Sequence, residues 1–151
     1  MKKVATVIIA IVIAAVAMAQ KPTAGAIEHT YCVPCPLNDD TAHLEMRRNA
    51  DGTYEGRIVW ANRLTNADGT PRRDEKNKDP KLRTRKAMGL TMVWGLKYKN
   101  GEWTDGKVYD YTTGNTYSIK ISTKDNGQTL KVRYYKGVPL VGISSKWKRV
   151  K

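Results

Sequence analysis

The chain has 151 residues, with 27 lysines and arginines against 14 aspartates and glutamates, and two cysteines. This length favours one domain, since domains usually contain about 100–200 residues. A hydrophobic content of 40% and a charged content of 27% exclude a disordered polar tract, and 12 glycines with 6 prolines are too few for a fibrous repeat. The composition therefore predicts a small folded protein with a net charge of +13.

The first 19 residues have the pattern of an export signal. A basic start is followed by an apolar run over residues 4–19, which ends in the small-x-small sequence Ala17-Met18-Ala19 that a signal peptidase recognises. The run of 16 residues is shorter than a membrane-spanning helix, which needs about 20. We therefore predict a signal peptide over residues 1–19, a periplasmic or secreted mature protein, and no transmembrane segment after cleavage.

The rest of the chain divides into two predicted parts. Residues 20–41 are predicted to be an N-terminal linker that contains a Cys-x-x-Cys segment. From residue 42 to residue 151, apolar and polar residues alternate in short runs that are separated by turn residues, which is typical of an antiparallel sheet. Asn100-Gly101 is one such turn, and Asn-Gly favours a tight hairpin because both residues adopt positive φ. About seven strands at this spacing predict a β-barrel domain.

One face of the predicted sheet is apolar and the other carries lysine, arginine, serine and glutamate. Closing such a sheet on itself removes its exposed edges. Only residues 79–88 look helical, with Pro80 at the first helical position and Gly89 at the end. The barrel interior, which can be filled or can hold one small ligand, is predicted to be lined by larger side chains. These are Tyr54, Trp60, Met92, Trp94, Tyr98 and Tyr117.

An ordered set of motifs covers residues 54–150. The motifs are Gly56-Arg57-Ile58-Val59-Trp60, Asp74-Glu75-Lys76-Asn77-Lys78-Asp79-Pro80-Lys81-Leu82-Arg83-Thr84-Arg85, Gly89-Leu90, Gly95-Leu96-Lys97-Tyr98, Gly101-Glu102-Trp103-Thr104-Asp105-Gly106, Thr113-Gly114-Asn115-Thr116-Tyr117 and Leu130-Lys131-Val132-Arg133, with Gly142 and Trp147. Together they resemble the bacterial family called domain of unknown function 2147, which are small exported proteins with a lipocalin-like barrel. The resemblance implies no reaction and no catalytic residues.

The sequence departs from that family at three points. Members usually open with a Gly-x-Trp strand that plugs one end of the barrel, whereas no tryptophan precedes Trp60 here. Lys86 stands where the family tends to have proline, and Tyr134 stands where it tends to have glycine. The resemblance and the strand pattern predict a mainly β fold, an antiparallel up-and-down lipocalin-like barrel with one short helix. Because the usual first strand is missing, a half-barrel is the alternative.

The Cys-x-x-Cys segment contains the sharpest chemical feature. Every histidine and cysteine lies within 15 residues, at His29, Cys32, Cys35 and His43. In an oxidising compartment a Cys32–Cys35 disulfide is the first interpretation. The four residues also have the ligand types of a tetrahedral zinc site, although their spacing is not that of a zinc finger. Prolines on both sides of Cys35 disfavour the helix start that a thioredoxin-like redox motif requires.

The densest basic stretch covers residues 72–86, with eight basic and three acidic side chains and a net charge of +5. After export, nucleic acid is not an expected partner, and an anionic envelope surface is a suitable one. The alternative is that acidic and basic side chains of this segment pair internally and hold a loop across the barrel mouth. The candidate surface residues are Arg72, Arg73, Lys76, Lys78, Arg83 and Arg85.

Two classes of function follow from these patterns. The first is a non-catalytic, monomeric envelope protein without a cofactor, whose barrel binds a small apolar ligand or whose basic rim binds an anionic surface. The second is a metal-handling or thiol-redox protein that acts through His29, Cys32, Cys35 and His43. Enzymatic activity is not supported by any catalytic motif, since the two histidines lie before or at the start of the predicted barrel and the glycines have turn or bulge spacing.

Overall fold

Alternating apolar and polar residues form eight antiparallel strands, and the strands close into an up-and-down barrel in chain order. The computed structural model describes residues 20–36 and 38–150, so the predicted signal peptide lies outside the described residues. The barrel is closed where β8 pairs with β1, which confirms the predicted fold class and decides between the barrel and the half-barrel. The strands are β1 (Thr30–Pro34), β2 (Thr41–Arg48), β3 (Tyr54–Ala61), β4 (Thr91–Lys99), β5 (Glu102–Asp110), β6 (Asn115–Ser122), β7 (Thr129–Tyr135) and β8 (Gly142–Arg149).

One strand lies in the segment that was predicted to be a linker. β1 pairs with β2 over five positions, from Thr30 opposite Glu45 to Pro34 opposite Thr41. It also pairs with β8, where Tyr31 lies opposite Arg149. The predicted boundary between residues 41 and 42 is therefore wrong, because the barrel cannot close without β1. Only Tyr31 and Val33 face inward in this short strand, which is too little alternation to indicate a strand.

The predicted helix over residues 79–88 is also wrong. Only Pro80–Leu82 forms a 3₁₀ turn, in which the Lys81 N–H donates to the Asp79 side chain at 3.0 Å. The segment folds back instead, because the Asp74 N–H donates to the Arg85 carbonyl and the Ala87 N–H donates to the Arg72 carbonyl. None of the helical turns within residues 20–36 and 38–150 has the length and apolar composition of a membrane-spanning helix.

The barrel core contains a different pair of tryptophans from the predicted one. Trp103 and Trp147 are fully buried, whereas Trp60 and Trp94 lie on the outer wall with 44% and 39% of their surface exposed. The predicted inward orientation of Trp60 and Trp94 is therefore wrong. Tyr54 is buried as predicted, and the other predicted residues are partly buried against the core; these are Met92, Tyr98 and Tyr117.

Two irregularities in the strands explain the outward tryptophans. Between β2 and β3 the register shifts at His43 and Leu44, so the inward series of β3 passes from Ile58 to Ala61 and leaves Trp60 outside. In β4, Gly95 has a φ of +73°, and Val93 and Leu96 on either side of it both face inward. A bulge adds one residue to a strand and reverses the faces that follow.

A 3₁₀ turn at Ala24–Ile27 plugs one end of the barrel. Its residues Ala26 and Ile27 are buried, and the Trp103 ring N–H donates to the Ala24 carbonyl at 3.3 Å. The Tyr31 hydroxyl on β1 donates to the Gly127 carbonyl at 2.7 Å and lies 3.3 Å from the Ala26 carbonyl, so it joins the plug to the β6–β7 turn. Gly127 has a φ of +88°, and a side chain there would overlap the Ala26 carbonyl.

The two pairs of tryptophans should differ in their effect on stability. We expect Trp103→Ala or Trp147→Ala to lower the free energy of unfolding by about 3–5 kcal/mol, because each leaves a cavity in the core. Trp60→Ala and Trp94→Ala should lower it by about 1 kcal/mol at most. Urea denaturation measures all four values, and a loss above about 3 kcal/mol at Trp60 would contradict its outward orientation.

Two buried tyrosines provide a matched test of the plug. Tyr31→Phe leaves the Gly127 carbonyl without its donor, so we expect a loss of about 1–2 kcal/mol in unfolding free energy. Tyr54→Phe should cause no loss, because the buried Tyr54 hydroxyl has no hydrogen-bond partner among the described residues. Burial raises the pKa of Tyr31 to about 12, whereas an unfolded tyrosine ionises near pH 10.

The raised pKa of Tyr31 sets the pH range of this effect. The neutral hydroxyl contributes its full stability below about pH 10, and the contribution is lost as the pH rises from about 10 towards 12. The difference in urea midpoint between the wild type and Tyr31→Phe should therefore shrink over that range. A difference that stays constant would show that Tyr31 is not buried in the folded protein.

Candidate functional site

The end of the barrel opposite the plug is open and is surrounded by four connections. They are the β1–β2, β3–β4, β5–β6 and β7–β8 loops, over residues 35–40, 62–90, 111–114 and 136–141. A cavity of about 70 Å³ lies between them and the core. At the plugged end the Trp103 ring packs against the rings of Tyr54 and Tyr98, so the free interior space lies at the open end.

The wall of this cavity is mostly apolar. Met92 and Tyr117 were predicted to line it and do so, whereas Tyr54 and Tyr98 pack at the plugged end. Other wall residues were not predicted, and alternation in β5 and β7 could have indicated Val108 and Tyr134. The wall residues outside the predicted set include Val33, Pro34, Cys35, Ala42, Val108, Tyr111 and Tyr134.

Three polar side chains at the cavity, those of Tyr134, Asp110 and Asp40, lie against protein partners. The Tyr134 hydroxyl accepts a hydrogen bond from the Trp147 ring N–H at 3.0 Å. The Asp110 carboxylate accepts from the Thr112 and Thr113 hydroxyls of its own turn, and Arg63 Nε lies 3.0 Å from Asp40 Oδ1. Burial raises the pKa of Tyr134, so its hydroxyl stays neutral at physiological pH. The site therefore offers a mostly apolar surface to a ligand, with the Asp40 and Asp110 carboxylates at its edge.

The cysteine segment does not form the predicted cluster. Cys32 alternates with the inward residues Tyr31 and Val33 and so faces outward, whereas Cys35 lines the cavity. Both thiols are free, and the predicted disulfide is not confirmed. His43 lies opposite Cys32 in β2, with its ring centroid 4.6 Å from that of Trp60. Within residues 20–36 and 38–150, no three His, Cys, Asp or Glu residues come close enough to hold a metal ion.

The basic segment makes many contacts within its own loop. Arg83 Nε donates to the Asn77 carbonyl at 2.7 Å, and Arg73 donates to the Thr84 carbonyl. The Arg72 guanidinium lies over the Tyr111 ring, 5.8 Å from its centroid. Lys76 and Lys78 are exposed. The proposed role of these residues in binding an anionic surface stays a prediction, and most of the arginines have a structural role as well.

A buried carboxylate organises this loop. Asp74 has no exposed surface, and its Oδ2 accepts from Arg85 Nε and from Asn77 Nδ2, each at 2.8 Å. Its Oδ1 accepts from the Tyr109 hydroxyl at 2.6 Å. Tyr109 projects from the outer wall of β5 and is buried under the loop. Burial, followed by the hydrogen bond to Asp74, raises the pKa of Tyr109. The loop is therefore fixed to the outside of the barrel.

Comparisons with known proteins agree with this architecture. A family model described as "Uncharacterized protein conserved in bacteria (DUF2147)" matches residues 35–149. Among solved structures, protein HP1028 from Helicobacter pylori, described as belonging to the lipocalin family, is similar with a TM-score of 0.69. The two sequences are 23% identical, and the similarity covers 83% of each chain. No curated protein matches the chain.

The buried Asp74 gives a direct test of how the loop is fixed. Asp74→Ala leaves the Tyr109 hydroxyl and the Arg85 guanidinium without their acceptor, so we expect a loss of about 2–4 kcal/mol in unfolding free energy. Trypsin should then cleave within residues 72–86 faster than in the wild type, because local opening exposes the basic residues. Glu75→Ala, which removes the same charge from an exposed neighbour, is the control. Equal cleavage rates in the two variants would contradict the role of Asp74.

Proposed function

Because the chain belongs to the DUF2147 family and forms a lipocalin-like barrel, we propose that it is an exported protein that binds a small apolar molecule at the open end of the barrel. The observation that carries this proposal is the cavity between Ala42, Met92, Val108 and Tyr134. Its apolar wall favours an apolar ligand, since burial of apolar surface provides about 25 cal/mol per Å². The export signal predicted at residues 1–19 supports a role in the envelope.

The size of the cavity limits the ligand. About 70 Å³ is small beside the roughly 300–1,000 Å³ of pockets that enclose a drug-sized molecule. A short aliphatic chain or a single ring is the part that fits inside. A longer ligand would extend past Tyr117 and Tyr134, which line both the cavity and an adjacent groove beside Val141 and Ile143.

The alternative of metal or thiol-redox chemistry has weaker support. Cys32 and Cys35 lie on opposite sides of the barrel wall, and His43, which lies opposite Cys32 and contacts the Trp60 ring, belongs to no group of three ligand residues within the described part of the chain. Dithiol exchange requires two thiols that can reach one another. The arrangement therefore favours the ligand-binding proposal. In that proposal Cys35 is a residue of the cavity wall.

Methionine-methyl NMR tests the proposal with an internal control. Titration with hexanol should shift the methyl resonance of Met92, which lines the cavity. The resonances of Met46, buried beside Gly56, and of Met88, exposed on the β3–β4 loop, should not move. Equal shifts at all three methionines, or no shift at Met92, would contradict binding in the cavity.

A matched pair of variants completes this test. Ala42→Phe places a ring in the cavity and should reduce hexanol affinity by about tenfold or more, which is the effect of about 1.4 kcal/mol. Ala50→Phe makes the same change at an exposed position in the β2–β3 turn, at the plugged end, and should leave the affinity unchanged. Retention of wild-type affinity by Ala42→Phe would place the ligand elsewhere.

A further inference from the structure

The β7–β8 hairpin exposes a group of apolar side chains beside the cavity. We call residues 136–143 the β7–β8 tip. Leu140 is 87% exposed and Val141 is 70% exposed, and Val138 and Ile143 are each at least half exposed. Single exposed apolar residues are ordinary, but a contiguous group of them usually marks an interaction surface.

The tip is held in this exposed arrangement by one side chain. Arg133 Nε donates to the Pro139 carbonyl at 2.8 Å, and one of its terminal nitrogens donates to the Leu140 carbonyl at 2.9 Å. The other terminal nitrogen donates to the Ser144 hydroxyl at 3.1 Å. Arg133 thus provides hydrogen-bond donors to the Pro139 and Leu140 carbonyls from strand β7. The apolar side chains are therefore presented outward on an ordered loop, and they do not fold back onto the barrel.

The tip adjoins the cavity mouth. A groove lined by Val141 and Ile143 shares Pro36, Tyr117 and Tyr134 with the cavity wall. The Lys136 ammonium lies at the same place, 5.1 Å from the centroid of the Tyr117 ring. Apolar surface therefore continues from the tip into the barrel, with a positive charge beside it.

The two ends of the barrel differ in charge. The four connections at the open end contain ten basic and six acidic side chains, a net of +4. The segments at the plugged end, residues 20–29, 49–53, 100–101 and 123–128, contain two basic and three acidic side chains, a net of −1. An anionic surface would therefore attract the open end in preference to the plugged end.

We propose that the open end docks on an anionic lipid bilayer, with the β7–β8 tip inserted among the lipids and the cavity mouth facing them. The tip is a protruding hairpin with apolar side chains at its end, which suits insertion into the soft interfacial region of a bilayer. The surrounding basic loops supply the attraction to anionic headgroups, which is worth about a fivefold gain in affinity for each basic residue near the surface. The proposal does not depend on whether the cavity holds a ligand.

Vesicle binding tests this surface. All eight strands and the plug lie within residues 20–150, so the chain from Gln20 is the form to use. It should co-sediment with vesicles of phosphatidylethanolamine and phosphatidylglycerol, and weakly with vesicles of phosphatidylcholine alone. Replacing Leu140 and Val141 together by aspartate should reduce binding to the anionic vesicles by about tenfold or more, since two apolar insertions are lost and two negative charges are added.

A control variant shows whether binding depends on the tip itself or on any exposed apolar side chain. Val59→Asp makes a similar change on the outer wall of β3, where Val59 is 41% exposed, and should bind like the wild type. Val138→Gln tests insertion without adding a charge and should weaken binding by severalfold. Wild-type binding by the Leu140→Asp, Val141→Asp variant would overturn the proposal.

A fluorescence measurement gives an independent result. The emission of a Leu140→Trp variant should shift to shorter wavelength with anionic vesicles and be quenched by brominated lipid chains, relative to the parent protein. The absence of quenching, no wild-type binding to anionic vesicles at low salt, or self-association through the tip with no vesicle binding would each overturn the proposal. The hexanol titration of Met92 is unaffected by any of these results, so the two proposals fail separately.

Discussion

The structure depends on the plug formed by Ala24–Ile27 at one end of the barrel. The Tyr31 hydroxyl and the Trp103 ring N–H hold the Ala24–Ile27 turn in place through carbonyl groups of the turn and of Gly127. With that end closed, the large aromatic side chains pack behind the plug, because there they are shielded from water on all sides. The remaining interior space therefore collects at the other end, where it opens between the loops and can serve as a binding site.

A second buried interaction keeps the open end accessible. Asp74 binds Arg85, Asn77 and Tyr109 and so attaches the longest loop of the barrel to the outer wall of β5. A buried carboxylate is costly unless its oxygens are bonded, and here three side chains provide the donors. The ion pair with Asp74 also neutralises the positive charge of Arg85, a residue that the sequence predicted to bind a partner. The positive charge at this end is consequently shared between structural contacts and any surface that the protein meets.

The sequence predicted the sheet better than it predicted the faces of the strands. The Asn100-Gly101 turn is confirmed, with both residues at positive φ, because an Asn-Gly turn depends on local conformation alone. The orientation of Trp60 and Trp94 depended on the register with neighbouring strands. One bulge in β3, opposite His43 and Leu44, and one at Gly95 in β4 were enough to reverse it, although a glycine inside a strand is a recognised sign of a bulge. Within the cavity, Met92 and Tyr117 were found from alternation, while Cys35 and Tyr111 lie on loops, where no periodicity applies.

By itself the sequence determined the class of fold, the antiparallel order of strands and a basic chain, because these follow from local periodicity, turn residues and composition, and its ordered motifs indicated the family by resemblance. The tertiary structure alone decided that β1 closes the barrel, that Asp74 is buried, that Cys32 and Cys35 face different sides, and that the apolar tip lies beside the cavity mouth. Each of these depends on contacts between residues far apart in the chain. A strand of five residues or a single aspartate carries too little local pattern to show its partner, and the partner becomes known only when the barrel has closed around it.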